Sequence, residues 1–259
     1  MTRTDVFTGV GVALVTLFDA DGEVDYRATA DHAAKLVELG VRAVIVCGTT
    51  AEVDALTDDE RLRLFEAVRA AVPAGGGAAI VAGTGAPSTR QASALTAAVR
   101  AGIGADAVLA RSPRGVADPT GYYRGIADAA GDLPVLAYHF PAVSPPGIPL
   151  DLLPSLPVVG CKDSSADMTR LLATLDSWSG ALYVGSAAVL VQAGALGCAG
   201  GILALANVEP ELCAAAFAGD AGAQRKLTAA HLAASQGGPR GLKRLVADRF
   251  GTSDAVRIG

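Results

Sequence analysis

A chain of 259 residues, 51% hydrophobic and 18% charged, carries ample apolar material for a large core, which excludes a disordered chain. Its net charge of −5, with no Lys or Arg cluster interleaved with aromatics, gives no footprint for nucleic acid. The apolar stretch 191–206 is broken by Gln192 and glycines and falls short of the roughly 20 residues of a membrane span. With no apolar signal segment in MTRTDVFTG, the expectation is a cytoplasmic protein without a membrane partner.

Short apolar, β-branched runs recur along the chain at 10–17, 43–47, 79–82, 107–110, 135–137, 158–161, 182–184 and 201–205. They are apolar on both faces, as strands of a parallel sheet covered by helices must be. Segments with helical spacing lie between them at 26–39, 58–71, 88–101 and 120–130. Thr57 with Glu60 reads as a capping box, and Ser88 or Thr89 opens the next helix. Gly40, Gly102 and Gly180 stand where helices should end. The unbroken alternation predicts an α/β fold, a (β/α)8 TIM barrel occupying 1–210 and closed by a helix at about 209–219. Residues 220–259 then form a short C-terminal helical extension, with a turn at 237–241.

Cys47, Cys161, Cys198 and Cys213 sit in apolar stretches without CxxC spacing, so no disulfide is expected. His32, His139 and His231 are scattered, without metal-ligand spacing, so no metal is expected.

In a barrel of this kind catalytic residues project from the C-terminal ends of strands. Three places qualify: GTTAE at 48–52, Tyr138-His139, and Lys162 within VVGCKDSS. A lysine there points into a partly desolvated site, where burial disfavours the ammonium and frees an amine to attack a carbonyl. The alternative is a lysine that snorkels to solvent beside Asp163. Tyr138 is either a proton-transferring phenol or a packing residue. Gly48-Thr49-Thr50 offers consecutive backbone N–H groups and two hydroxyls to a small carboxylate, or else merely caps a helix. GTGAPS at 83–88 lacks the third glycine of a dinucleotide fingerprint, and GCAGG at 197–201 lacks the Lys-Ser/Thr of a P-loop; both read as tight turns.

GTTAE, YHFP, GCKDSS and the GALGCAGGI segment running to Asn207, in this order, resemble the dihydrodipicolinate synthase and N-acetylneuraminate lyase family over roughly 9–212. The resemblance implies a (β/α)8 barrel and a class I aldolase, cofactor-free, joining or separating pyruvate and an aldehyde. Lys162 then matches the Schiff-base lysine, Tyr138 the proton-transferring tyrosine and Thr49 the hydroxyl that relays protons to it. Thr50 matches the threonine that holds the pyruvate carboxylate, and Gly48, Gly201 and Ile202 are expected against the substrate. A homo-oligomer, dimer or tetramer, is implied as well.

Departures from the family pattern bear on the substrate. The arginine that synthases carry five residues after the tyrosine is Val143 here, which removes a bidentate anion clamp. The second tyrosine aligns near Pro113 and Arg114, so the relay lacks its usual third member. Gly185 is followed by Ser186, Ala187 and Ala188 rather than by sugar-binding acidic residues. Together these point to a 2-keto-3-deoxy or 4-hydroxy-2-oxo acid aldolase. The alternatives are a 4-hydroxy-tetrahydrodipicolinate synthase working without that arginine, or a non-catalytic keto-acid-binding paralogue. Arg111 or Arg114, in the loop expected after the fourth strand, could replace the missing cation; a solvated loop position is the favoured reading of both.

Overall fold

The computed structural model describes residues 5–258. Strands β1 (Gly9–Ala13), β2 (Ala43–Val46), β3 (Ala79–Gly83), β4 (Ala107–Arg111), β5 (Val135–His139), β6 (Gly160–Asp163), β7 (Ala181–Val184) and β8 (Gly200–Leu203) pair in chain order as a closed parallel barrel. Helices α1 (Tyr26–Glu38), α2 (Asp58–Ala71), α3 (Thr89–Gly102), α4 (Thr120–Ala130), α5 (Met168–Ser177) and α6 (Leu190–Ala195) alternate with them. After β8 come α7 (Pro210–Phe217), α8 (Ala221–Ser235) and α9 (Pro239–Phe250).

Alternation along each strand sorts the core into two clusters. Ala43, Ile45, Leu109, Leu136, Tyr138, Tyr183 and Ile202 fill the barrel interior, while Val44, Val46, Val108, Ala137, Cys161 and Val184 meet the helices. Because both faces are buried, the strand runs look uniformly apolar in sequence although their side chains alternate.

Local chemistry sets the helix starts. Thr57 accepts from the Glu60 amide while the Glu60 carboxylate accepts from the Thr57 amide, and Ser88, not Thr89, caps α3 through the Gln91 amide. Gly40 follows α1 with φ 95°. Gly102 is still helical, and the left-handed turn after α3 falls on Gly104 at φ 69°. Gly180 is needed for space: a Cβ there would stand 2.2 Å from the Trp178 ring. In the 237–241 turn, Gly237 and Gly238 take positive φ, Pro239 opens α9, and Gly241 already lies inside that helix.

Strand limits differ from the apolar runs for identifiable reasons. The first strand stops at Ala13 because side chains take over as acceptors: the Val15 amide donates to Asn207 Oδ1 at 3.1 Å and the Leu17 amide to Thr29 Oγ1 at 3.0 Å. Asn207 also donates to the Ala13 carbonyl at 2.7 Å, tying the segment after β8 to β1. The sixth strand is shifted along the chain, so Lys162 lies within it rather than just beyond. Cys47, Cys161 and Cys213 are buried free thiols, and Cys198 is buried as well.

Candidate active site

Three neighbouring strands set the core of the site. Arg111 on β4 is the cross-strand partner of Tyr138 on β5, and Tyr138 is the partner of Lys162 on β6. Two-residue alternation turns Leu136 and Tyr138 inward, and Lys162 with them, while Cys161 faces the helices. The Lys162 ammonium nitrogen lies 4.3 Å from the centre of the Tyr138 ring. Lys162 is 5% exposed, and among the described residues no carboxylate pairs with it. Asp163 is committed elsewhere: it points outward, where Arg170 Nε donates to it at 2.8 Å and Ser165 donates at 2.6 Å. The lysine therefore does not pair with its neighbour in sequence.

Beneath it, the outward-facing residues hold β5 and β6 in place. His139 accepts the Ile148 amide on Nδ1 at 2.9 Å, which requires a neutral ring, and burial pushes its pKa down despite Asp163 nearby. Cys47 and Cys161 flank the site, but burial pushes both thiols up to about 12, so neither competes with the lysine as a nucleophile.

Two of the chambers at the C-terminal mouth of the barrel have both Thr49 and Tyr138 in their walls. One, of about 320 Å³, is bounded by Lys162, Thr50, Phe140, Ser186 and Ala204. The other, of about 300 Å³, is bounded by Gly48, Arg111, Arg114, Val143 and Ser144. Thr49 and Thr50 open a 3-10 turn, Thr49–Ala51, in which the Ala51 and Glu52 amides bond back to Gly48 and Thr49. The Thr49 and Thr50 amides precede the Ala51 amide, the first donor of the turn, and so are not used by the turn itself.

The backbone here is tightly specified. Cys47 and Glu52 bracket the threonines with φ of 58° and 55°. Gly83 lets the Cys47 carbonyl approach so closely that a Cβ would lie 2.3 Å from it. Arg61, buried on α2, donates to the Gly83 and Gly85 carbonyls at 2.6 and 3.1 Å. GTGAPS is thus a brace under the threonine loop.

Lys162, Tyr138, Thr49 and Thr50 are brought together, and Gly48 joins them through the second chamber. Gly201 and Ile202 are not on either wall. Ile202 is fully buried in the barrel interior, and a Cβ on Gly201 would meet Leu190 on the helix side at 3.1 Å; Ala204 and Leu205 face the Lys162 chamber instead. Among the described residues no hydrogen bond joins Thr49 to Tyr138.

Arg111 overturns its reading as a loop residue. It is the last residue of β4, its side chain is 23% exposed, and its Nη1 donates to Thr49 Oγ1 at 3.1 Å while Nη2 stands 3.5 Å from Asp54. The alternation Ala107, Leu109, Arg111 aims it inward, but a strand buried on both faces hides that alternation in the sequence. His231 on α8 lines the Lys162 chamber because the C-terminal helices fold back across the barrel mouth.

Barrels of this topology with a buried lysine near the C-terminal mouth include the carbon–carbon lyases that work through an amine. A family model described as the Dihydrodipicolinate synthetase family matches residues 6–234, and the chain belongs to that family. It is 39% identical, over 79% of its length and 69% of the relative's, to an uncharacterized DapA-like lyase of Halobacterium salinarum. It is 34% identical to a 4-hydroxy-tetrahydrodipicolinate synthase of Natronomonas pharaonis, over 86% of this chain and 79% of that one. A dihydrodipicolinate synthase from Acinetobacter baumannii, solved as a complex with pyruvate, superposes with a TM-score of 0.88 at 28% identity, covering 97% of this chain and 92% of that one. Like its family, the protein is a lyase of the class I aldolase type. Among the described residues no helix is long and apolar enough to cross a membrane.

Proposed function

We propose that Lys162 forms a Schiff base with pyruvate and that the protein joins it to, or releases from it, an aldehyde. The observation that carries the reading is the buried lysine without a carboxylate partner, opening on the Thr50 and Tyr138 chamber. The amine adds to the 2-oxo carbon, water leaves, and the protonated imine acts as an electron sink. The C3–H bond then breaks, its electron pair forms the enamine, and the enamine carbon attacks the aldehyde carbonyl. Tyr138 moves the protons, with Thr49 as its hydroxyl partner. Thr50 and the amides of the 3-10 turn hold the carboxylate, with Gly48 shaping the turn. The proposed second substrate enters from the Arg111 chamber.

Val143 on the wall of that chamber favours a 2-keto-3-deoxy or 4-hydroxy-2-oxo acid aldolase over the synthase. A guanidinium at Val143 would have clamped a semialdehyde carboxylate; an isopropyl group cannot. The test is intact mass and peptide mapping after incubation with pyruvate and borohydride, followed by an aldehyde screen that includes aspartate semialdehyde. A reduced adduct on the Lys162 peptide, absent in Lys162→Ala, is the expected result. No adduct on the wild-type chain defeats the mechanism, and faster turnover of aspartate semialdehyde than of hydroxyaldehydes restores the synthase.

A further inference from the structure

The Thr49 hydroxyl has one proton to give and two lone pairs to fill. Arg111 Nη1 fills one lone pair at 3.1 Å, and a guanidinium can only donate. Among the described residues the hydroxyl makes no other hydrogen bond, so its own proton is directed to the space that Thr49 and Tyr138 share. The guanidinium is itself held: its Cα is fixed by strand pairing to Tyr138, the missing Cβ of Gly85 admits the Arg111 amide, which a Cβ would meet at 2.8 Å, and Asp54 anchors Nη2 at 3.5 Å. With Tyr138 between Arg111 and Lys162 in the strand register, the cation, the phenol and the amine occupy one row of the barrel.

We propose that Arg111 is a positioning residue: it fixes Thr49 as a hydrogen-bond donor toward Tyr138 and the bound 2-oxo acid, so that one chain supplies the whole proton-transfer set. The inference rests on the Schiff-base reading above. It makes Arg111 necessary for the half-reaction on pyruvate alone, before any aldehyde arrives. In that half-reaction Tyr138 first gives its proton to the hydroxyl that leaves the carbinolamine as water; its phenolate, held by the Thr49 donor, then takes the C3 proton of the imine as the C3–H electron pair moves into the enamine. Reversal in D2O returns a deuteron to C3.

The measurement is deuterium exchange into the pyruvate methyl group, followed by NMR, alongside borohydride trapping, in the wild type, Arg111→Met, Arg111→Lys, Thr49→Val and the double variant Thr49→Val/Arg111→Met. Trapping at Lys162 should persist in Arg111→Met, which also reports that the site is folded, while exchange slows ~100-fold. Arg111→Lys keeps a donor and should recover most of the rate. The double variant should exchange no more slowly than Thr49→Val, since the arginine acts through that hydroxyl. Unchanged exchange in Arg111→Met, or additive losses in the double variant, overturns the proposal and leaves Arg111 as a binder of the second substrate. Should Arg111→Met fail to fold, Arg111→Leu, alone and combined with Thr49→Val, is judged by the same two criteria. Absence of trapping in the wild type instead removes the Schiff-base reading, and this inference with it.

Discussion

Two buried lysines teach opposite uses of one side chain. Lys162, on β6, has an aromatic ring beside it and no carboxylate within reach among the described residues. Lys243, on α9, is fully buried over the Phe18 ring at 4.1 Å, but its nitrogen stands 2.6 Å from Glu52 Oε1 and donates to the Ala255 carbonyl at 2.8 Å. Glu52 is satisfied in turn, its Oε2 accepting the Arg257 and Ile258 amides at 2.9 and 2.8 Å. Burial pushes the Lys243 pKa below its ordinary value and the Glu52 carboxylate opposes that shift. An ion pair sealed on every side is structure; a lysine left unpaired at a cavity is chemistry. Glu52 also ends the GTTAE motif, so the Lys243 pair straps the C-terminal segment to the loop that carries Thr49 and Thr50.

The contrast breaks most visibly on the paired side. Lys243→Met leaves the Glu52 carboxylate buried without its cation and should cost about 3–5 kcal/mol in urea unfolding, partly regained in Lys243→Met/Glu52→Gln. A cost below about 1 kcal/mol would make the pair dispensable, as surface pairs are.

Acid should act next, through histidines buried as neutral rings. Burial brings His32 to about 4, against an ordinary 6.5, although Asn207 beside the ring opposes the shift. The unfolded chain therefore takes up that proton first as pH falls below 6.5. Stability present above 6.5 is lost on descending toward 4, on the order of 2 kcal/mol by pH 4.5. His32→Phe keeps a ring against Phe250 and should flatten that slope; identical pH profiles for the two proteins would acquit His32.

The smallest effect on stability belongs to Lys162. Lys162→Met should abolish trapping yet leave the melting temperature no lower than that of the wild type, because no ion pair is lost and a buried amine is replaced by an apolar chain of similar length. A fall of several degrees would give Lys162 a structural role like that of Lys243.

Much of the fold was readable because its signals are local. The eight apolar runs, the Thr57–Glu60 capping box and the Ser88 cap each depend on residues within a few positions of one another. Where the first strand stops was not readable, since Asn207 and Thr29 replace a strand partner from elsewhere in the chain. The site divides in the same way. Lys162, Tyr138 and the two threonines stand out as polar residues at the ends of apolar runs. Arg111 and His231 do not, because one hides behind a strand apolar on both faces and the other belongs to a helix whose docking the sequence does not announce.

By itself, then, the sequence determined the alternation of strands and helices and the residues at the mouth of the barrel, through hydrophobic patterning and caps that act over a turn or two. Only tertiary structure decided which charges are paired. Arg111 on β4 pairs with Asp54 beyond β2, and Lys243 on α9 pairs with Glu52 beside the threonines. Such partners are chosen by barrel closure and the folding back of the C-terminal helices, because charge pairing inside a protein depends on distance and burial, which no local pattern encodes.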